Sequence, residues 1–153
     1  ADIGAGTGYF SFPVATRLPE GRVLAVDIQP EMLEIIASRI VQSGTTNVEP
    51  VLGGVQSPNL ALNSIDLAFI VDAYHEFSHP FEMGQGLFEA LKPGGQLVLI
   101  EYRGEDPSVP IKRLHKMTAQ QAGKEMRALG FNGPDVLDVL PQQHILIFTK
   151  PGG

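Results

Sequence analysis

Three glycines at alternate positions, in the run Asp2-Ile3-Gly4-Ala5-Gly6-Thr7-Gly8-Tyr9, constrain this chain more than any other stretch. Such spacing suits neither a strand nor a helix interior. It allows positive φ and lets the backbone approach whatever lies above it. The residues that follow read as a helix, so the turn should end at a helix N-terminus, where free N–H groups and the dipole favour polar or anionic ligands. Two acids flank the turn. Asp2 precedes the first glycine by two residues, where it can meet a cationic amine, and Asp27 ends the strand-like run Arg22-Val23-Leu24-Ala25-Val26-Asp27. A carboxylate at that strand end suits the two hydroxyls of a ribose.

An amine and a ribose together describe S-adenosylmethionine better than a dinucleotide. The turn also reads Gly-x-Gly-x-Gly, not the Gly-x-Gly-x-x-Gly expected of a nicotinamide-dependent oxidoreductase, which is the enzyme-class rival. From Asp2 to Gly8 the chain resembles the class I S-adenosylmethionine-dependent methyltransferases, whose first motif has the form acid-x-Gly-x-Gly-x-Gly. The resemblance runs on through Asp27, through Ile65-Asp66-Leu67-Ala68-Phe69-Ile70-Val71, through Leu91-Lys92-Pro93-Gly94-Gly95 and into the closing strands. Tyr74-His75-Glu76-Phe77 and His115-Lys116-Met117-Thr118 look like an uncharacterised bacterial branch of that family. The resemblance implies an α/β, doubly wound Rossmann-like methyltransferase fold. Its mostly parallel sheet would have the order 3-2-1-4-5-7-6, with strand 7 antiparallel and strand 1 reduced to a stub at Asp2-Ile3. One domain is expected over 1–150, lacking an N-terminal cap, with 151–153 a frayed tail.

Alternating strand and helix signals agree with such a sheet. Helices are expected over Tyr9 to Leu18, from Pro30 to Gly44, from Pro80 behind a Ser78 or His79 cap, and from a Thr118 capping box to just before Gly130. The second helix carries the stripe Met32, Leu33, Ile36, Ala37 and Ile40, and the third buries Phe81, Leu87, Phe88 and Leu91. Strands are expected at Arg22–Ile28, Asn47–Leu52, Ile65–Val71 and Gln96–Tyr102, the last after a Lys92–Gly95 turn. Val136–Leu140 and His144–Thr149 should form a hairpin.

Ligands of open α/β sheets bind outside the carboxyl ends of the parallel strands. The resemblance places the cofactor against Asp2, Gly4, Gly6, Gly8, Tyr9, Asp27, Ile28, Met32, Gly54, Val55 and Asp72. Gly54 stands where the family often has an acid for the adenine amino group, so either Gln56 or a backbone carbonyl substitutes, or adenine is held less tightly. Methyl transfer is an in-line displacement that needs alignment above all, worth ~7–11 kcal/mol. His75, titratable near neutrality just after strand 4, is the candidate base, and Glu76 the group that orients it or binds a cationic acceptor. Arg103, His115 and His144 are weaker candidates for the substrate rim. The wide spacing of His75, Glu76, His115 and His144 gives no metal-ligand motif, so no metal is expected.

Charge and composition narrow the partners. A net charge of −6 with scattered Lys and Arg argues against a nucleic-acid surface and for a small-molecule methyl acceptor. The absence of cysteine removes thiolate chemistry. No apolar run approaches ~20 residues, so neither a membrane span nor membrane association is expected, and a cytoplasmic location fits. A homodimer is compatible with this reading. The non-enzymatic rival is an S-adenosylmethionine-binding module that regulates a partner.

Overall fold

The computed structural model describes residues 1–152, so Gly153 of the expected tail lies outside the described residues. Seven strands form one sheet: β1 (Asp2–Ile3), β2 (Val23–Asp27), β3 (Val48–Leu52), β4 (Ile65–Val71), β5 (Leu91–Tyr102), β6 (Asn132–Leu137) and β7 (Gln143–Thr149). Their order is β3-β2-β1-β4-β5-β7-β6. The first five pair in parallel, and β7 runs antiparallel to both β5 and β6. This is the Rossmann-like order that the resemblance implied. The two-residue β1 sits between β2 and β4, so the chain leaves the sheet centre directly into the glycine turn.

The helices are α1 (Ser11–Thr16), α2 (Pro30–Ser43), α3 (Pro80–Ala90) and α4 (Ala119–Ala128). Packed on the sheet they close two apolar clusters. One gathers Ile70, Leu87, Leu97, Leu99, Met126, Leu146 and Phe148; the other gathers Phe12, Ala15, Val23, Ala25, Ile36 and Val48. Every large member of the first is withdrawn from water, which at ~25 cal/mol per Å² makes that cluster the main stabilising term. Among the described residues no helix is long and apolar enough to cross a membrane.

Several boundaries differ from the sequence reading for local reasons. Helix α1 begins at Ser11, because Gly8, Tyr9 and Phe10 are still in the turn, and Pro13 falls in its first turn where no N–H is required. In α2 the buried side is Ile36 with Leu33 and Ile40 beside it, while Ala37 faces water; Gly44 closes the helix in the left-handed region. Neither Ser78 nor His79 caps α3 with its side chain, and Phe81 is exposed; Met83, Gly84, Leu87 and Ala90 face the core. Thr118 does cap α4, accepting from the Gln121 amide at 3.0 Å. The Lys92–Gly95 turn is absorbed into β5 as an irregularity opposite Ile65–Leu67. It stays paired because the Gly94 amide donates to Lys150 and the Lys150 amide donates to Gly95. The last hairpin starts earlier than expected: β6 opens at Asn132, directly after the buried Phe131, and its apolar Val136 and Leu137 lie exposed on the edge of the sheet.

Candidate functional site

Gly4, Gly6 and Gly8 all adopt positive φ, at 74°, 53° and 79°. At Gly8 a side chain would also collide with the Phe12 ring, whose edge lies 2.8 Å from where a Cβ would stand. At Gly4 a Cβ would come within 3.2 Å of the Ala73 methyl across the cleft. The turn is held from two sides. The Gly4 and Ala5 amides both donate to the Val26 carbonyl, at 2.9 and 3.0 Å. The Gly6 amide donates to Asp27 Oδ2 at 2.8 Å, and the Gln29 amide to Asp27 Oδ1 at 2.9 Å. Asp27 therefore ties the first crossover to the second, with one backbone donor on each oxygen and a lone pair still free on each.

A cleft of about 230 Å³ opens at the carboxyl ends of β1, β2 and β4. Its floor and walls come from Ile3, Gly4, Asp27, Ile28, Gly53, Gly54, Val55, Ala73, Glu76, Phe77 and Met83. Ile28 and Val55 are 52% and 53% exposed there, apolar side chains that no core neighbour covers. Met32 is half-buried on α2 outside this lining, and Gly6, Gly8, Gln56 and the 73%-exposed Tyr9 also lie outside it. Helix α1 starts three residues after Gly8, so the turn does not feed straight into a helix N-terminus as the sequence suggested.

Asp2 is not part of the cleft lining either. It is buried, 3% exposed, and accepts from the Ser11 hydroxyl at 2.6 Å, behind the glycine turn. Burial pushes its carboxyl up to about 6, with the Ser11 hydrogen bond pulling the other way. A folded pKa above the unfolded value gives stability that is complete in acid and is lost as pH rises towards 6. Asp2→Asn keeps the acceptor for Ser11 and cannot ionise. Denaturant titrations at pH 4 and pH 7 should therefore show the variant gaining on the parent by about 2 kcal/mol over that interval. A gap that stays constant with pH would mean that Asp2 titrates normally.

A second group of polar side chains lies beside the cleft. After β4 the chain makes a short turn over Tyr74–Glu76. His75 Nδ1 lies 2.7 Å from Glu101 Oε2, and the Tyr74 amide donates to Glu101 Oε1 at 2.9 Å. Glu101, on β5, is fully buried; burial raises its pKa, while His75 and the Tyr74 amide pull it down. The residue that orients His75 is therefore Glu101, not Glu76, whose Oε1 stands 4.0 Å from His75 Nε2. His115, brought in by the loop after β5, places its Nδ1 3.2 Å from His75 Nε2. Glu76 lines both the cleft and the neighbouring shallow depression that holds Asp72, His75, Tyr102, Lys112 and His115.

Asp72 adopts a left-handed φ of 49°; one of its oxygens accepts from Gln143 Nε2 at 2.6 Å and the other is buried with no hydrogen-bond partner among the described residues. It belongs to the depression with His75, not to the cleft lining. The remaining rim candidates are not available. His144 is buried in β7, and desolvation lowers its pKa. Arg103 is committed to the Leu140 carbonyl at 2.8 Å and to Asp138 at 3.3 Å. Two of the three histidines expected at this mouth thus reach it. The sequence puts Glu101 at the carboxyl edge of the sheet but gives it no role, yet a lone acid in Leu97-Val98-Leu99-Ile100-Glu101 is itself a signal, since burying a carboxylate requires a partner.

Comparison with known proteins agrees with this architecture. Residues 1–95 match the family model described as a methyltransferase domain. The tRNA U34 carboxymethyltransferase of Desulfotalea psychrophila is 33% identical over 101 residues, 65% of this chain and 31% of that protein. The demethylmenaquinone methyltransferase of Lactococcus lactis is 28% identical over 111 residues, 72% of this chain and 43% of that protein. The chain thus spans less than half the length of these curated relatives. Among solved structures, a SAM-dependent methyltransferase from Aquifex aeolicus superposes with a TM-score of 0.89 at 23% identity, covering 97% of this chain and 79% of that one. By its glycine turn, its sheet order and the matched domain, the chain belongs to the class I S-adenosylmethionine-dependent methyltransferase family.

Proposed function

We propose that this chain binds S-adenosylmethionine in the cleft between the glycine turn and Val55, and transfers its methyl group by in-line displacement to a small-molecule acceptor seated at the Glu76 end. The observation that carries this reading is the arrangement of Asp27: two backbone donors fix its carboxylate at the mouth of the cleft, and each oxygen keeps a lone pair for a ribose hydroxyl. Ile28 and Val55 supply uncovered apolar faces for the adenine, and backbone groups at Gly53–Val55 replace the missing acid at Gly54. Gly4 and Ala73 line the same cleft as Glu76, and along this wall the methionine arm runs towards Glu76 and His75. Asp2 acts from behind, by holding the turn through Ser11.

The cofactor brings the activated methyl group, and the protein's part is alignment together with activation of the acceptor. His75 is the residue we assign to the latter. Glu101 accepts a hydrogen bond from His75 Nδ1–H, which leaves the lone pair on Nε2, the nitrogen on the acceptor side.

Incubation of the protein with methyl-labelled cofactor and fractionated cell extract tests this directly. Label should enter a metabolite fraction and disappear with His75→Ala. Label entering only RNA, the substrate class named for one relative, would overturn the small-molecule assignment, and no transfer to any fraction would overturn the activity.

A further inference from the structure

His115 lies 40 positions after His75 and its neighbour Glu76, yet the three meet at one point in the fold. His75 Nε2 and His115 Nδ1 are 3.2 Å apart, and Glu76 Oε1 stands 4.0 Å from the first and 3.9 Å from the second. Two donors bound about 2.1 Å from one tetrahedral ion lie roughly 3.4 Å apart, so the imidazole pair already has ligand spacing. The Glu76 side chain is exposed, and a shift of about half an ångström brings its oxygen to the same point. Behind His75 stands Glu101, fully buried and hydrogen-bonded to Nδ1 at 2.7 Å. A carboxylate on the far nitrogen is the arrangement that fixes the ring and tautomer of a metal-bound histidine.

We infer that His75, Glu76 and His115 form a binding site for a divalent transition-metal cation such as Zn²⁺, with Glu101 as the positioning residue behind His75. The inference reverses the expectation, drawn from sequence spacing, that no metal is bound. It rests on the methyltransferase reading above and refines it, since the Nε2 lone pair then serves the ion. Three protein ligands leave a coordination position open. That position faces the depression lined by Asp72, Tyr102 and Lys112, next to the end of the cleft that Glu76 shares. An acceptor bearing a hydroxyl or carboxylate oxygen can be seated there on the ion, beside the methyl donor. The alternative role for the cluster is a plain hydrogen-bonded pair of imidazoles that needs no ion.

The test uses chelator-treated protein and titration with Co²⁺, followed by the visible absorption that cobalt gains in a low-symmetry protein site, with Zn²⁺ competition and elemental analysis of the purified chain. One equivalent should bind. His115→Ala should weaken it at least tenfold, and Glu101→Gln by about 10- to 100-fold. His115 lies half-exposed in a loop, so loss of folding does not confuse its result, which circular dichroism checks. Absence of stoichiometric cobalt binding, or binding unchanged in His115→Ala, would overturn the metal site. S-adenosylhomocysteine binding, measured on the same metal-free protein, is expected to persist. If metal binding fails while that binding persists, only the metal site is lost; if that binding fails, the methyltransferase reading is lost.

Discussion

Asp27→Ala is expected to weaken S-adenosylhomocysteine binding by about 10²- to 10⁴-fold in titration calorimetry, with the variant still folding cooperatively. The ribose would lose two hydrogen bonds to a charged acceptor, each worth ~1.5–3 kcal/mol, and each 1.4 kcal/mol is tenfold in affinity. The same substitution frees the Gly6 and Gln29 amides, so the glycine turn loses its tie to the second crossover. Asp27→Asn separates the two effects. Its remaining oxygen can still accept from one amide, whereas its NH₂ group meets the other amide donor to donor. It should therefore fall between the parent and the alanine variant. An Asp27→Ala protein that binds within threefold of the parent would show that the carboxylate only builds the loop.

His75→Ala carries the second large effect, at a different step. Turnover should drop by about 10²- to 10⁴-fold, the range for losing a positioned group that activates the acceptor, whether His75 takes its proton or holds the ion that seats it. Affinity for S-adenosylhomocysteine should stay close to the parent, because His75 lies in the neighbouring depression and only Glu76 is shared with the cleft. A loss confined to kcat places His75 on the acceptor; a matching loss of cofactor affinity would place it in the cofactor site instead. Glu101→Leu should reproduce the turnover defect and also destabilise the fold. It leaves the Tyr74 amide and His75 Nδ1 without an acceptor, at ~1–3 kcal/mol for each buried unpaired group.

The cleft was legible in part, because the features that shape it are built from backbone: Gly4, Asp27, Ile28, Gly54 and Val55 line it, whereas Asp2, Gly6, Gly8, Tyr9, Met32 and Asp72 do not. Three alternate glycines with positive φ, a strand-ending aspartate and the Gly53-Gly54 corner are short-range patterns, and their geometry follows from local sterics. The sheet order was legible through the family resemblance that those patterns carried. The depression around His75 was less so. Which histidines converge depends on where the loop between β5 and α4 folds back, and nothing local distinguishes His115, which arrives, from His144, which is buried in β7. Asp2 illustrates the same limit. Its place two residues before the first glycine suggested that it holds the ligand's amine through its neighbours or a water, and the pairing of β1 with β2 and β4 turns its carboxylate towards Ser11. The edge strand β6 was misplaced because a strand with one paired side and much exposed surface carries little hydrophobic alternation.

Titration of the ¹⁵N-labelled protein with S-adenosylhomocysteine, followed amide by amide, tests the cleft most directly. Saturable shifts are expected at Gly4 to Gly6, Asp27 to Gln29 and Gly53 to Val55, and they should vanish in Asp27→Ala. No saturable shift, or shifts confined to another part of the sheet such as the β6–β7 edge, would contradict a cofactor site at the glycine turn.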